Sequence, residues 1–455
     1  MEKKISSSVL LAIIASGVMT FSGVTVETSM NITFPTLIKE FGIGLSVVQW
    51  MTTIYLLVLS SIIPLSRFLK ARFKMSTLFI VANLLFLAGL VVDAFAPSFI
   101  FLLLGRVIQG LGTGIALPLM FNIILENVPQ ERLGVMMGFG SLITAAASAV
   151  GPTFGGIIVN TLGWRFIFII LMPVLLISLL MGIFSIPHLR KNELSSERFD
   201  LKSFLLIVAT FAGLIIGIDT ISTSSFWNPM VLIPIVIGLV ALFTFIRVQN
   251  HSAQPLLRVH ILKNTAYAKY VVAFFINQLI ILGLAFVVPN YVQLINHSSS
   301  SVAGLLLLPG AVIGAVVSPF SGALLDRFGA KKPILSGIAV MVVSLLLLSI
   351  FSSHLANSVI MILYSLIMIG VGLAYGNIMT KGLSYLSGEL QADGNAIITT
   401  VQQFAGAIGT VIVATIITKV GAIGGGNGLL GYTAALIFLL VISIIQLITI
   451  KTTKE

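Results

Sequence analysis

Residues 102–118 read LLLGRVIQGLGTGIALP. The stretch is apolar enough to cross a membrane as a helix, yet it carries a positive charge at Arg106 and an amide at Gln109. An arginine at membrane depth is costly, so it is expected to face the interior of a helical bundle with a partner and to mark a functional site. That expectation fixes both the class of fold and the residues to look for next.

The rest of the chain supports a membrane setting. Of 455 residues, 58% are hydrophobic and 9% charged, against about a quarter charged in ordinary globular proteins. Apolar runs of about 20 residues recur from end to end, each long enough to span a bilayer. A barrel would instead show alternating segments of about ten residues. The fold class is therefore an all-α polytopic membrane protein. The net charge of +11 is read as basic loops at one membrane face, not as a nucleic-acid surface. No cysteine is present, which excludes disulfides and thiolate metal sites. The five histidines fall in loops or near span ends, so no metal and no other cofactor is expected. Lys3 and Lys4 precede an apolar run without a clear small-residue cleavage site, and that run is taken as a retained first span.

Fourteen spans are expected: 9–34, 47–65, 76–95, 99–125, 134–160 and 164–185; then 201–221 and 230–248; then 266–288, 301–324, 333–351, 357–380, 396–420 and 429–450. Polar segments at 187–200 and 249–264 interrupt the series. The division is thus 1–186 as a six-helix half, 187–264 as a linker with two extra spans, and 265–455 as a second six-helix half. With both termini on the cytoplasmic side, 21 of the 25 Lys/Arg fall on that side and only Lys39, Arg165 and Lys419 opposite, Arg106 lying between. This asymmetry agrees with the positive-inside rule and with an even number of spans. Two six-helix halves are a transporter signature, because two bundles can rock about a site between them.

Within the fourth span, Arg106, Gln109, Gly110 and Thr113 share one helix face, as do Thr20, Gly23, Glu27 and Asn31 in the first. At about 1.5 Å per residue, Glu27 and Arg106 both lie about 10–12 Å below the same surface. They are expected to pair, directly or through water. Burial opposes ionisation of a carboxyl and a neighbouring guanidinium favours it, so a carboxyl held between the two can load and release a proton. The same pair could also only fix packing. Glu27 is read as the single carboxylate well inside a span, with Asp93, Glu126 and Asp219 near span ends. In the fifth span Gly140, Thr144, Ala147, Ser148, Gly151 and Gly155 form a small-residue stripe that permits close helix approach, and Pro152 bends the axis. After the tenth span, GALLDRFGAKK at residues 322–332 combines glycines for a tight turn with charges suited to a latch between helices.

These motifs resemble those of the major facilitator superfamily, and within it the 14-span drug:proton antiporters, over essentially the whole chain. The R-x-x-Q-G pattern is met by Arg106, Gln109 and Gly110. The antiporter core G-P-x-x-G-G is met by Gly151, Pro152, Gly155 and Gly156, and the loop motif by Gly322, Asp326, Arg327, Gly329, Lys331 and Lys332. Trp164–Arg165 fits the opening of the sixth span. The sequence departs from the pattern in three places. The first-span acid stands at Glu27, with Val26 in the usual position, a rotation of about 100°. Lys70 and Phe73 replace Asp and Gly in the first-half loop. The second half has no deeply placed acid.

The resemblance implies the major facilitator fold and export of amphipathic, often cationic compounds against entering protons, with Glu27 and Arg106 as the coupling pair and the proton gradient in place of a cofactor. Gly151, Pro152, Gly155 and Gly156 would act as a hinge, and Gly322, Asp326, Arg327, Gly329 and Lys331 as a cytoplasmic latch. Asn31, Trp50, Tyr55, Gln109, Thr113, Phe139, Asn277, Gln278 and Asn377 are candidates to line the substrate cavity, although several could equally bridge helices. A monomer in the cytoplasmic membrane, in contact with lipid, protons and small molecules, is expected. Export of a lipid, fatty acid or endogenous metabolite on the same fold is the alternative, and proton symport a further one. No nucleophile–base constellation suggests an enzyme.

Overall fold

The protein is described here from a computed structural model covering residues 5–189, 199–252, 255–423 and 428–453. Among these residues the chain is helical, and fourteen helices are long and apolar enough to cross a membrane. They are α1 (Ser7–Phe41), α2 (Leu45–Leu65), α3 (Met75–Ala94), α4 (Phe99–Asn127), α5 (Gln130–Thr161), α6 (Arg165–Ser185), α7 (Leu201–Thr220), α8 (Pro229–His251), α9 (Thr265–Leu294), α10 (Ser300–Phe328), α11 (Lys331–Ile350), α12 (Asn357–Ser384), α13 (Gly388–Ile423) and α14 (Gly428–Lys451). The number of spans agrees with the sequence expectation. Several helices run longer than expected: α1 continues through Pro35 to Phe41, because a neighbouring bundle can re-satisfy the backbone that an intramembrane proline frees.

Local chemistry sets the helix ends. The Ser6 hydroxyl accepts from Val9 N at 3.3 Å to open α1, and Gly42, at φ 63°, closes it in the left-handed conformation that glycine adopts without strain. Asp200, Asn264 and Ser299 cap α7, α9 and α10 in the same side-chain-to-backbone manner.

The helices form two six-helix halves. In the first, α1 packs on α4, α5 and α6, α3 on α4 and α6, and α2 on α4; in the second, α9 packs on α12, α13 and α14, and α11 and α10 on α12. The halves meet along α5–α10, α2–α13 and α1–α9. α7 and α8 pair with each other, and α7 also leans on α13 and α2. Residues such as Leu84, Ile100 and Leu104 on α3 and α4, and Met230, Val240 and Phe243 on α8, present apolar side chains outward. Such a belt is what a lipid-facing surface requires.

The α1–α9 and α5–α10 contacts concentrate toward the end of the bundle that carries Lys39 and Arg165. There Gln293 donates to Ile32 O at 3.0 Å, the rings of Phe34 and Phe286 lie 5.6 Å apart, and Thr153 donates to Gly304 O at 3.1 Å. Glu40 binds both Arg165 (2.8 Å) and Trp164 Nε1 (2.7 Å), fastening α1 to the start of α6.

Candidate functional site

The interior of the first half is organised by α4. Its face of Arg106, Gln109 and Thr113 turns toward α2 and α3, and all three side chains are buried. Arg106 is held from several sides. Its Nε donates to Met51 O at 3.0 Å, its Nη1 donates to Gln109 Oε1 at 2.6 Å, and its guanidinium carbon sits 4.1 Å from the centre of the Tyr55 ring. That stacking is a cation–π contact strengthened by desolvation. The Tyr55 hydroxyl lies 3.1 Å from Gly23 O on α1 and 2.9 Å from Thr113 Oγ1 on α4. Gly23 leaves room for this junction, since a Cβ there would come within 2.8 Å of Thr113.

Glu27 projects from α1 into the same region. It is only partly buried, whereas Arg106 has no exposed surface. The two charges lie within electrostatic range of each other and of Tyr55. Among the described residues, however, no ion pair within 4.0 Å joins them. The guanidinium spends its hydrogen bonds on Met51 and Gln109 instead. From the second half, Tyr375 of α12 reaches the same space, within electrostatic range of Glu27, its ring 4.8 Å from that of Phe274 on α9. The site thus sets a partly buried carboxyl within electrostatic range of a sealed cation and of a tyrosine from the other half.

Asp93 stands near the end of α3 as expected, and it is nevertheless fully buried: its Oδ2 accepts from Gln109 Nε2 at 2.8 Å, so that Arg106, Gln109 and Asp93 form one hydrogen-bonded chain. The reason is register. Asp93 is close to the end of α3, but α4 begins beyond that end, and Asp93 stands level with Gly105, six residues inside α4. Sequence reasoning also missed Tyr375, which carries no signal beyond its being one of eight tyrosines. Asp219 was missed as well: its Oδ2 accepts from Trp50 Nε1 at 2.9 Å and its Oδ1 from Gln49 Nε2 at 3.0 Å, docking α7 on α2.

Several residues expected to line a cavity make bonds between helices. Asn31 accepts from Thr52 Oγ1 at 2.9 Å. Asn377 donates to Ser321 Oγ at 2.6 Å. Asn277 accepts from Gln446 Nε2 at 3.3 Å, joining α9 to α14. Gln278 is buried on α9, and Phe139 is 41% exposed on α5. Trp50, Tyr55 and Phe139 therefore sit in three different surroundings.

The glycines of the fifth-span motif face two neighbours. A Cβ at Gly151 would collide with Thr28, and one at Gly155 would meet Ser29 O at 2.8 Å, so both press α5 onto α1. Ser29 Oγ donates to Gly151 O at 2.7 Å across that contact. Gly156 abuts Ser300 on α10, and the Pro152 carbonyl stands over Gly304. One short stretch thus touches its own half and the other half at once.

At the Lys/Arg-rich end, Gly329 takes φ 77°, a conformation that favours glycine. Lys331 donates to Thr453 O at 3.2 Å, and Arg327 and Lys332 lie over the Phe328 ring. The side chain of Asp326 lies outside the described residues, as do residues 424–427. In the first-half loop, Lys70 forms an ion pair with Glu126 at the end of α4.

Comparison with known proteins follows the same lines. Residues 16–410 match the Major Facilitator Superfamily. The lincomycin resistance protein LmrB of Listeria monocytogenes is 35% identical, over 90% of this chain and 86% of its own length. The protein of the same name in Bacillus subtilis is 34% identical over 90% and 85%. The multidrug resistance protein B homolog of Mycobacterium tuberculosis is 28% identical over 89% and 75%.

Proposed function

The chain belongs to the major facilitator superfamily, and from that premise we propose that it is a proton-coupled antiporter exporting amphipathic, often cationic drugs by alternating access. Its relatives bear the names of lincomycin and multidrug resistance proteins, which supports a drug as cargo. The observation that carries the proton-coupled reading is the placement of Glu27: a partly open carboxyl between the sealed guanidinium of Arg106 and Tyr375 of the opposite half.

In this scheme Glu27 holds either a proton or the positive group of the substrate, and Arg106 tunes which is preferred. Residues 1–186 and 265–455 rock as two bodies about this site, with 187–264 carrying the two additional helices. Gly151, Pro152, Gly155 and Gly156 serve as the flexing contact, and the segment from Gly322 to Lys331 as the latch. The protein sits as a monomer in the cytoplasmic membrane with both termini inside, the orientation that the positive-inside rule favours.

The test is transport by the purified protein in proteoliposomes with an imposed pH gradient, using lincomycin, ethidium and tetraphenylphosphonium. Drug movement opposite to the proton flux, abolished when the gradient is collapsed, is expected for at least one of them. Indifference to the gradient, or movement of drug and proton in the same direction, would overturn antiport.

A further inference from the structure

We propose that Asp93 is a positioning residue for proton exchange: through Gln109 it orients Arg106 and supplies the buried counter-charge that leaves Glu27 free to change its protonation state. The inference rests on the antiport reading above and deepens it.

A guanidinium remains charged under all ordinary conditions, and a buried charge without compensation is strongly destabilising. Arg106 is fully buried, yet its direct partners, the Met51 carbonyl, the Gln109 amide and the Tyr55 ring, are all neutral. If Glu27 were its only counter-ion, protonating Glu27 would leave the guanidinium uncompensated. Exchange would then fight the electrostatics of the site. Asp93 removes that conflict. Gln109 turns its oxygen to Arg106 and its NH2 to Asp93, which relays one charge to the other through two short hydrogen bonds of 2.6 and 2.8 Å.

The surrounding backbone is shaped for this chain. A Cβ on Gly105 would collide with the Asp93 carboxylate, and one on Gly89 would meet the Gln109 side chain at 2.5 Å. Gly112 continues the contact against the backbone of Ala82 and Phe86. Asp93 Oδ1 and Arg106 Nη2 have no hydrogen-bond partner, so the chain retains one acceptor and one donor for rearrangement. The titratable groups within range of Glu27 are Arg106 from α4, Tyr55 from α2 and Tyr375 from α12; Asp93 from α3 acts on it through Arg106. With Asp93 ionised, the charges of Arg106 and Asp93 cancel, and Glu27 can be neutral or negative.

The experiment is a pH titration of the protein in liposomes by infrared difference spectroscopy, which needs no substrate. The protonated-carboxyl band of Glu27 is identified by its loss in Glu27→Gln. In Asp93→Asn the uncompensated guanidinium should hold Glu27 ionised, moving the midpoint of that band to lower pH by about one unit or more. Gln109→Met, which cuts the relay while keeping both charges, should shift it in the same direction by less, and it stands in if Asp93→Asn does not accumulate folded. A purely structural Asp93 would lower stability and leave the midpoint unmoved, and an unmoved or raised midpoint overturns the inference. Failure of Glu27→Gln to remove any titrating band would instead sink the antiport reading itself.

Discussion

The interiors of the two halves are built from different chemistry. Between α1, α2, α3 and α4, the first half buries a cation and two carboxyl groups, linked by Gln109 and braced by Tyr55. In the second, α9 and α14 meet through neutral amides: Gln446 donates to Ala273 O at 3.0 Å and to Asn277 Oδ1 at 3.3 Å, with Ser443 close by on α14 and buried. Amides can bridge helices but cannot exchange protons near neutral pH. The two halves share a helical plan, and under the proposed scheme the charge that switches lies in the first, with the second half, which places Tyr375 within electrostatic range of Glu27, acting as the counter-body.

The strongest way to break this comparison is Arg106→Leu. It removes the guanidinium to which Asp93 is linked through Gln109, and leaving a buried charge uncompensated costs about 3–5 kcal/mol. A large loss of folded protein, seen as a lowered Tm of the purified sample, is expected. Arg106→Lys should not restore transport, because an ammonium lacks the planar fork that serves Met51, Gln109 and the Tyr55 face together. Next in size is Gly105→Ala, which drives a methyl into the Asp93 carboxylate. Overpacking of this kind costs about 1–3 kcal/mol, and drug transport should fall with it. Asp219→Ala should be milder: it releases Trp50 and Gln49 and loosens α7 from α2, for about 1–3 kcal/mol, readable as faster proteolysis between α6 and α7. Smallest of all is Gln446→Leu in the second half. It removes two amide hydrogen bonds at a cost of about 1 kcal/mol and should leave proton coupling as it was.

Most of the architecture was legible in the sequence because the bilayer imposes it. Span length, the one-sided lysines and arginines, and the interrupted pair of extra helices give fourteen helices in two halves before any packing is known. Glu27 and Arg106 stood out as candidates because charged residues inside apolar runs are rare, and the structure brings them within electrostatic range of each other. Asp93 was not, because depth counted from the end of its own helix ignores the register with α4, and only the facing glycines, Gly89, Gly105 and Gly112, record that register. A reading that treated those three as a helix-crossing signal would have found it. Asn31 and Asn377 show the converse: a polar residue in a span signals a partner, and the sequence does not say whether that partner is cargo or another helix.

The central claim is that a single carboxyl on α1 exchanges a proton against cargo. It is tested most directly by recording proton movement when drug is added to sealed vesicles holding either the natural protein or Glu27→Gln, with folding of the variant checked by its Tm. The account predicts drug-linked proton flux in the first and none in the second. Equal proton flux in both would contradict it.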